Sequence, residues 1–160
     1  ILTSLFHFKF LETPSSDEHF WSSTLASSAQ TAWRGLAFER LCLLHLPQIR
    51  KALGIANIHT EAYGWIFKGD ATYSDGAQID LVIDRADNVI DICEMKYSKN
   101  VFAIDKPYDS ILSRKIATFS GVTRTRKAVH LVFVTANGLM KNQYSGRVQS
   151  EILLSDLFAQ

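Results

Sequence analysis

Apolar residues recur along this chain with two different periods, and the switches between them mark its elements. Over residues 30–46 the positions Trp33, Leu36, Ala37, Leu41 and Leu44 fall at helical spacing, which predicts a helix buried along that side. Pro47 breaks or restarts it, and Gly54 suits the end of a short second piece. Strands are predicted over 61–67, 79–83 and 89–95, with a polar loop over 68–76. Arg85-Ala86-Asp87-Asn88 supplies turn chemistry, so the last two of these strands form a hairpin. A second helix is predicted over 109–120, with Ile111, Leu112, Ile116 and Phe119 on its apolar side and Gly121 ending it. Residues 128–135 are apolar and β-branched, as a central strand is. A last short strand at 150–154 and a turn at 155–158 follow. Near the start, 2–10 alternates and is rich in aromatics, which suits a strand or equally the tail of a preceding module. Residues 12–29 are Ser-rich and polar with Pro14, a linker touching the core through Phe20 and Trp21. Helix, strand, hairpin, helix, strand is the order of an α/β sandwich around a mixed sheet. The expected division is a segment at 1–29 and one domain at 30–160.

Composition narrows the class without naming a function. A chain of 160 residues, 47% hydrophobic and 21% charged, fits one globular domain. No apolar run approaches the roughly 18 residues that span a bilayer. The first residues lack a basic n-region and a small-residue cleavage site, so no signal peptide is expected. The chain opens on Ile1 rather than Met, which suggests an excised C-terminal domain. Cys42 and Cys93 sit among apolar neighbours and read as buried thiols in a reducing cytoplasm. The five histidines are scattered, with no zinc-like spacing, and read as structural or surface residues.

A net charge of +1 argues against a generic polyanion binder, but the charges are segregated. Over 61–95 eight acids face two bases, and over 96–127 eight bases face two acids. That suits a metal site beside a phosphate-binding surface, and equally two solvated faces laced with salt bridges. The chemistry concentrates in Gln78-Ile79-Asp80-Leu81-Val82-Ile83-Asp84 and Cys93-Glu94-Met95-Lys96. With the hairpin centred on Asp87, Asp84 pairs with Ile90 and Asp80 falls opposite Glu94. Period-two alternation then puts Asp80, Glu94 and Lys96 on one face, and a one-residue slip would separate them. Two carboxylates at about 5 Å repel unless a divalent cation joins them. Mg²⁺ or Mn²⁺ takes one or two carboxylates and fills its other positions with water and phosphate oxygens. Lys96 would then steady developing negative charge. Asp84 and Asp91 read as strand-end or solvent-facing acids. Arg124, Arg126 and Lys127 read as a solvent-facing loop, and Tyr97 and Ser98 have only their proximity to the motif.

Asp80 followed by Glu94-Met95-Lys96 resembles the Asp…Glu-x-Lys signature of the PD-(D/E)XK nuclease superfamily. The resemblance implies a restriction-endonuclease-like core in α-β-β-β-α-β order, a mixed sheet flanked by helices, which is the order read above. It implies metal-dependent hydrolysis of phosphodiester bonds in nucleic acid, DNA above all, with Mg²⁺ or Mn²⁺ as cofactor. Many members add a glutamate on the first helix, and Glu39 in Gly35-Leu36-Ala37-Phe38-Glu39 matches it. The implied metal ligands are thus Asp80, Glu94 and Glu39. Gln78 joins Glu39, Asp80, Glu94 and Lys96 as an implied catalytic residue, and Lys115 on the second helix is a weaker addition. The Pro usual before the first acid is Ile79 here. Trp33-x-Gly35, Gly76 to Arg85, Cys93 to Ser98, Thr123 to Lys127 and His130 to Thr135 also look like the C-terminal domain of AAA-family ATPases common in Bacteroides-type genomes. That narrower resemblance implies an N-terminal AAA ATPase domain as partner, a cytoplasmic location and no membrane. No P-loop is present, so no ATP site is expected within this chain. The rival reading is a catalytically silent module that binds nucleic acid or protein for the ATPase, and a purely structural domain stands behind it.

Overall fold

The structure, a computed structural model, describes residues 28–73 and 75–159. The chain divides into two compact units, 1–34 and 35–160, and of the first only the helical turns at 28–34 are described. The expected strand at 2–10, and Phe20 and Trp21 of the expected linker, lie outside the described residues. Ser28 and Ala29, at the expected linker's end, are already helical.

Helix α1 covers Ser28–Leu44, and α2 covers Leu46–Ala52 with Pro47 in its first turn, where a missing N–H costs nothing. Gly54 follows at φ 71°, and the Gly54 and Ile55 amides close back onto Lys51 and Arg50. Strands β1 (Thr60–Phe67), β2 (Ala77–Arg85) and β3 (Val89–Lys96) come next, then α3 (Lys106–Thr123) and β4 (Ala128–Thr135). A 3₁₀ turn at Ser145–Arg147, β5 (Val148–Leu153) and a final 3₁₀ turn at Leu154–Phe158 complete the described chain. The strands form one sheet in the order β1-β2-β3-β4-β5. β1, β2 and β3 run antiparallel, whereas β3, β4 and β5 run parallel. The chain is therefore an α/β fold with a five-stranded mixed sheet between helices. Among the described residues no helix is long and apolar enough to cross a membrane.

Alternation along the strands feeds two cores, one on each side of the sheet. Leu81, Ile83, Cys93, Met95, Val132 and Val134 pack with Phe38, Cys42 and Ile49 of α1 and α2. Val82, Ile90, Ile92, Leu131 and Phe133 pack with Leu112 and Phe119 of α3. Both cysteines are free and buried, and burial pushes the Cys42 thiol up to about 12.

Three expectations need correction. The side of α1 that meets the sheet carries Phe38 and Cys42, whereas Trp33, Leu36, Ala37 and Leu44 are exposed. Apolar residues lie on more than one side of α1, so more than one stripe at i, i+4 spacing is on offer, and the sheet takes the one with Phe38 and Cys42. Gly121 does not end α3, which runs on to Thr123 and closes at Arg124 in the left-handed region, φ 51°. A side chain at Gly121 would meet the Tyr73 hydroxyl at 1.8 Å, so this glycine serves a close approach and not a stop. α3 also begins earlier than predicted, because Asp105 caps it by accepting from the Tyr108 amide over 2.8 Å, with Pro107 in the first turn.

The segment after β3 is tied down. Phe102 and Leu139 form a parallel bridge, the Phe102 amide donates to Gly138 and the Met140 amide to Phe102, each over 2.7 Å. Asn137 and Asn142 donate side-chain amides to the Ser98 and Ile104 carbonyls, both at 2.8 Å.

Candidate active site

The β2–β3 hairpin has the expected register. Asp84 pairs with Ile90, and the ladder runs to Leu81 opposite Cys93. One further step of the same register sets Asp80 against Glu94, where the ladder has just ended. β2 is irregular at this point on its other side. Tyr63 pairs with Val82 but Trp65 with Ile79, so Asp80 and Leu81 together face Gly64. This is a β-bulge, a device that re-aims side chains and loosens pairing. It also explains why Ile79 and Val82, three residues apart, enter the same core.

Glu94 is fully buried, and both its oxygens have partners. Lys115 Nζ lies 2.5 Å from Oε1. The Tyr108 hydroxyl donates to Oε2 over 2.8 Å, and Lys96 Nζ is 3.6 Å from the same oxygen. The Lys96 ammonium also sits 5.1 Å above the centre of the Tyr108 ring. Tyr108 in turn packs edge-on against Phe102 and Phe133, which fixes its ring. Burial, then the charge and hydrogen bond of Glu94, push the Tyr108 hydroxyl far above its ordinary range, so it remains an O–H donor. Glu94 and Lys96 therefore both turn toward the α3 side of the sheet.

Glu39 approaches from α1, next to Phe38. Burial raises its carboxyl above the usual range, and the nearby charge of Asp80 adds to the rise. The charges of Lys96, Glu94 and Lys115 act on it as well. Asp80 is partly buried and accepts a hydrogen bond from Gln78 Nε2 over 3.1 Å. Asp80 and Glu94 both act on Tyr108. The structure thus brings Asp80, Glu94, Lys96 and Lys115 within electrostatic reach of Glu39, with both lysines on Glu94 and Gln78 attached through Asp80.

Other residues stand elsewhere. Asp91 is not solvent-facing: it is 1% exposed, 3.3 Å from Arg85 and 3.7 Å from His130. Its alternate position on β3 turns it to the α1 side, where Arg85 compensates its burial. Asp84 pairs with Lys127, which also donates to the Arg85 carbonyl, so Lys127 is no loop residue reaching into solvent. Arg124 and Arg126 are exposed, as expected.

Among the described residues no group of three or more His, Cys, Asp or Glu side chains is gathered tightly enough to hold a metal ion by itself. The donor set nevertheless suits a hard cation in kind, since Asp80, Glu94 and Glu39 offer oxygen alone. Magnesium commonly uses only one or two carboxylates. The Lys115 ammonium on Glu94 is itself a cation in that position.

Sequence reasoning missed Tyr108 and ranked Lys115 low. Their spacing held a signal, because residues seven apart on a helix lie two turns along the same face.

No protein-family model matches this chain, and no curated protein does. A solved structure it resembles is the crystal structure of a protein of unknown function, AF1548, at 13% identity and a TM-score of 0.47. The match covers 72% of this chain and 56% of that one, so the chain spans little more than half the length of that structure.

Proposed function

We propose that the chain is a restriction-endonuclease-like domain that hydrolyses phosphodiester bonds in nucleic acid, DNA by preference, with Mg²⁺ or Mn²⁺. The observation that carries this reading is the end of the β2–β3 ladder. One step beyond the last pair, Leu81 with Cys93, the same register would bring Asp80 opposite Glu94, and the charges of Asp80, Glu94 and Lys96 all act on Glu39. Four chargeable side chains at one strand fork are costly to desolvate without a ligand to compensate them.

In this reading Asp80 and Glu94, with Glu39 beside them, hold the cation. Bound there, it would polarise the phosphodiester and lower the pKa of the attacking water. Gln78 holds Asp80 in place through its amide, and Tyr108 holds Glu94 through its hydroxyl. Lys96 rests on the Tyr108 ring with its ammonium beside Glu94, placed to stabilise negative charge as it develops on phosphate. The sequence resemblance adds an N-terminal AAA ATPase domain and a cytoplasmic setting to the proposal.

The test uses purified protein, plasmid DNA and Mg²⁺ or Mn²⁺. Asp80→Asn and Glu94→Gln should each lower cleavage at least about 100-fold. Equal cleavage by these variants, or none by the intact protein, rejects the nuclease reading. One observation favours the silent binding module instead: Lys115 already neutralises Glu94 at 2.5 Å. A silent module should bind Mn²⁺ no differently when Asp80 and Glu94 are replaced.

A further inference from the structure

This inference rests on the nuclease reading and concerns what holds Glu94 before a divalent cation arrives. A carboxylate with no exposure to water needs opposite charge close by. Lys96, the residue of the motif, stands 3.6 Å away and leans on the Tyr108 ring. Lys115 is closer, at 2.5 Å, and its side chain is only 20% exposed. It reaches Glu94 from a helix whose buried contacts are otherwise apolar, through Leu112 and Phe119, or hydroxyl-bearing, at Thr118.

We propose that Lys115 is a built-in counter-cation that occupies the electrostatic place of the metal on Glu94 and gives it up when the metal binds. Tyr108 is the complementary positioning residue: it holds Oε2, so the exchange takes place at Oε1. Three formal negative charges, on Glu39, Asp80 and Glu94, meet two positive ones, on Lys96 and Lys115. A divalent cation added to that set overshoots neutrality by one charge while Lys115 stays in place. With Lys115 displaced toward solvent, the same cation balances the site. The ammonium therefore lowers metal affinity and keeps the buried carboxylate compensated while the site waits.

The experiment is Mn²⁺ titration calorimetry, with thermal melts, on the intact chain and on Lys115→Met, Lys115→Gln, Lys115→Arg and Glu94→Gln. Lys115→Met and Lys115→Gln should bind Mn²⁺ at least about tenfold more tightly than wild type, since a unit charge a few ångströms away is removed. Without metal both should melt below wild type, and Mn²⁺ should raise their melting temperature by more than it raises that of wild type. Lys115→Arg keeps the charge and should bind like wild type. Combining Lys115→Met with Glu94→Gln should abolish the gain. If wild type binds Mn²⁺ through Glu94 but neither neutral variant binds more tightly, the counter-cation role is overturned and the nuclease reading stands. If no variant shows binding that depends on Glu94, both fail together.

Discussion

Asp91 and Glu94 lie three residues apart on β3, both buried, and they differ in their surroundings. Asp91 is paired with Arg85 and lies 3.7 Å from His130, and Arg85 is further engaged by Asp87. That is a structural ion pair at the hairpin. Glu94 is paired with Lys115 and Lys96, but Glu39 and Asp80 act in the same place, and it is on this crowding that the proposed nuclease reading draws. Glu39 records the crowding. Burial first, then Asp80, hold its carboxyl above the usual range of about 4.3. The folded chain thus keeps that proton to higher pH than the unfolded chain does. The stability linked to it is fully present below the unfolded pKa and is lost as pH rises through the folded one. Glu39→Gln carries no such group. Denaturant midpoints measured from pH 4 upward should show wild type declining relative to Glu39→Gln, and parallel profiles would contradict the assignment. At this scale the sequence was readable for Asp80, Glu94 and Lys96, because period-two alternation needs only the hairpin centre. Lys115 was readable only as a weaker addition and Tyr108 only through its helical spacing to Lys115, because their contacts with Glu94 arise from α3 docking on β3 across 14 and 21 residues of chain.

The element that governs the site most directly is the first turn of α3. Asp105 caps it at the Tyr108 amide, so one contact sets both where the helix starts and where the Tyr108 ring points. Asp105→Ala should cost about 1 kcal/mol of stability, read by chemical denaturation. Under the proposed nuclease reading it should also lower cleavage by more than that loss explains, since Tyr108 would then hold Glu94 and Lys96 less firmly. An unchanged rate under fully folded conditions would separate the cap from the site. The Pro and Asp signals of this helix start were in the sequence. The bulge at Asp80 and Leu81 was not, because it exists only relative to β1. Nor was the role of Gly121, whose missing side chain makes room for a tyrosine 48 positions earlier.

Across the molecule, the order of elements sufficed to read a mixed sheet between helices, whereas the choice of face on α1 depended on the sheet's shape. The segregated charges also look different once folded. Lys115 pairs with Glu94, Arg114 with Asp75 and Lys127 with Asp84, so bases of the second block close back on acids of the first. Part of the asymmetry is therefore internal compensation between the sheet and the segments that follow it, and part gathers around the strand fork. One connection extends that order beyond regular structure. Residues 97–105 leave β3 directly after Lys96, and their tie to Gly138 and Met140 makes two crossover loops behave as one piece. The amides of Phe102 and Met140 should therefore exchange with deuterium as slowly as strand amides do, although both lie outside named strands. Under the proposed nuclease reading, a nucleic acid strand arriving beside Lys96 would meet a rim already set by these ties.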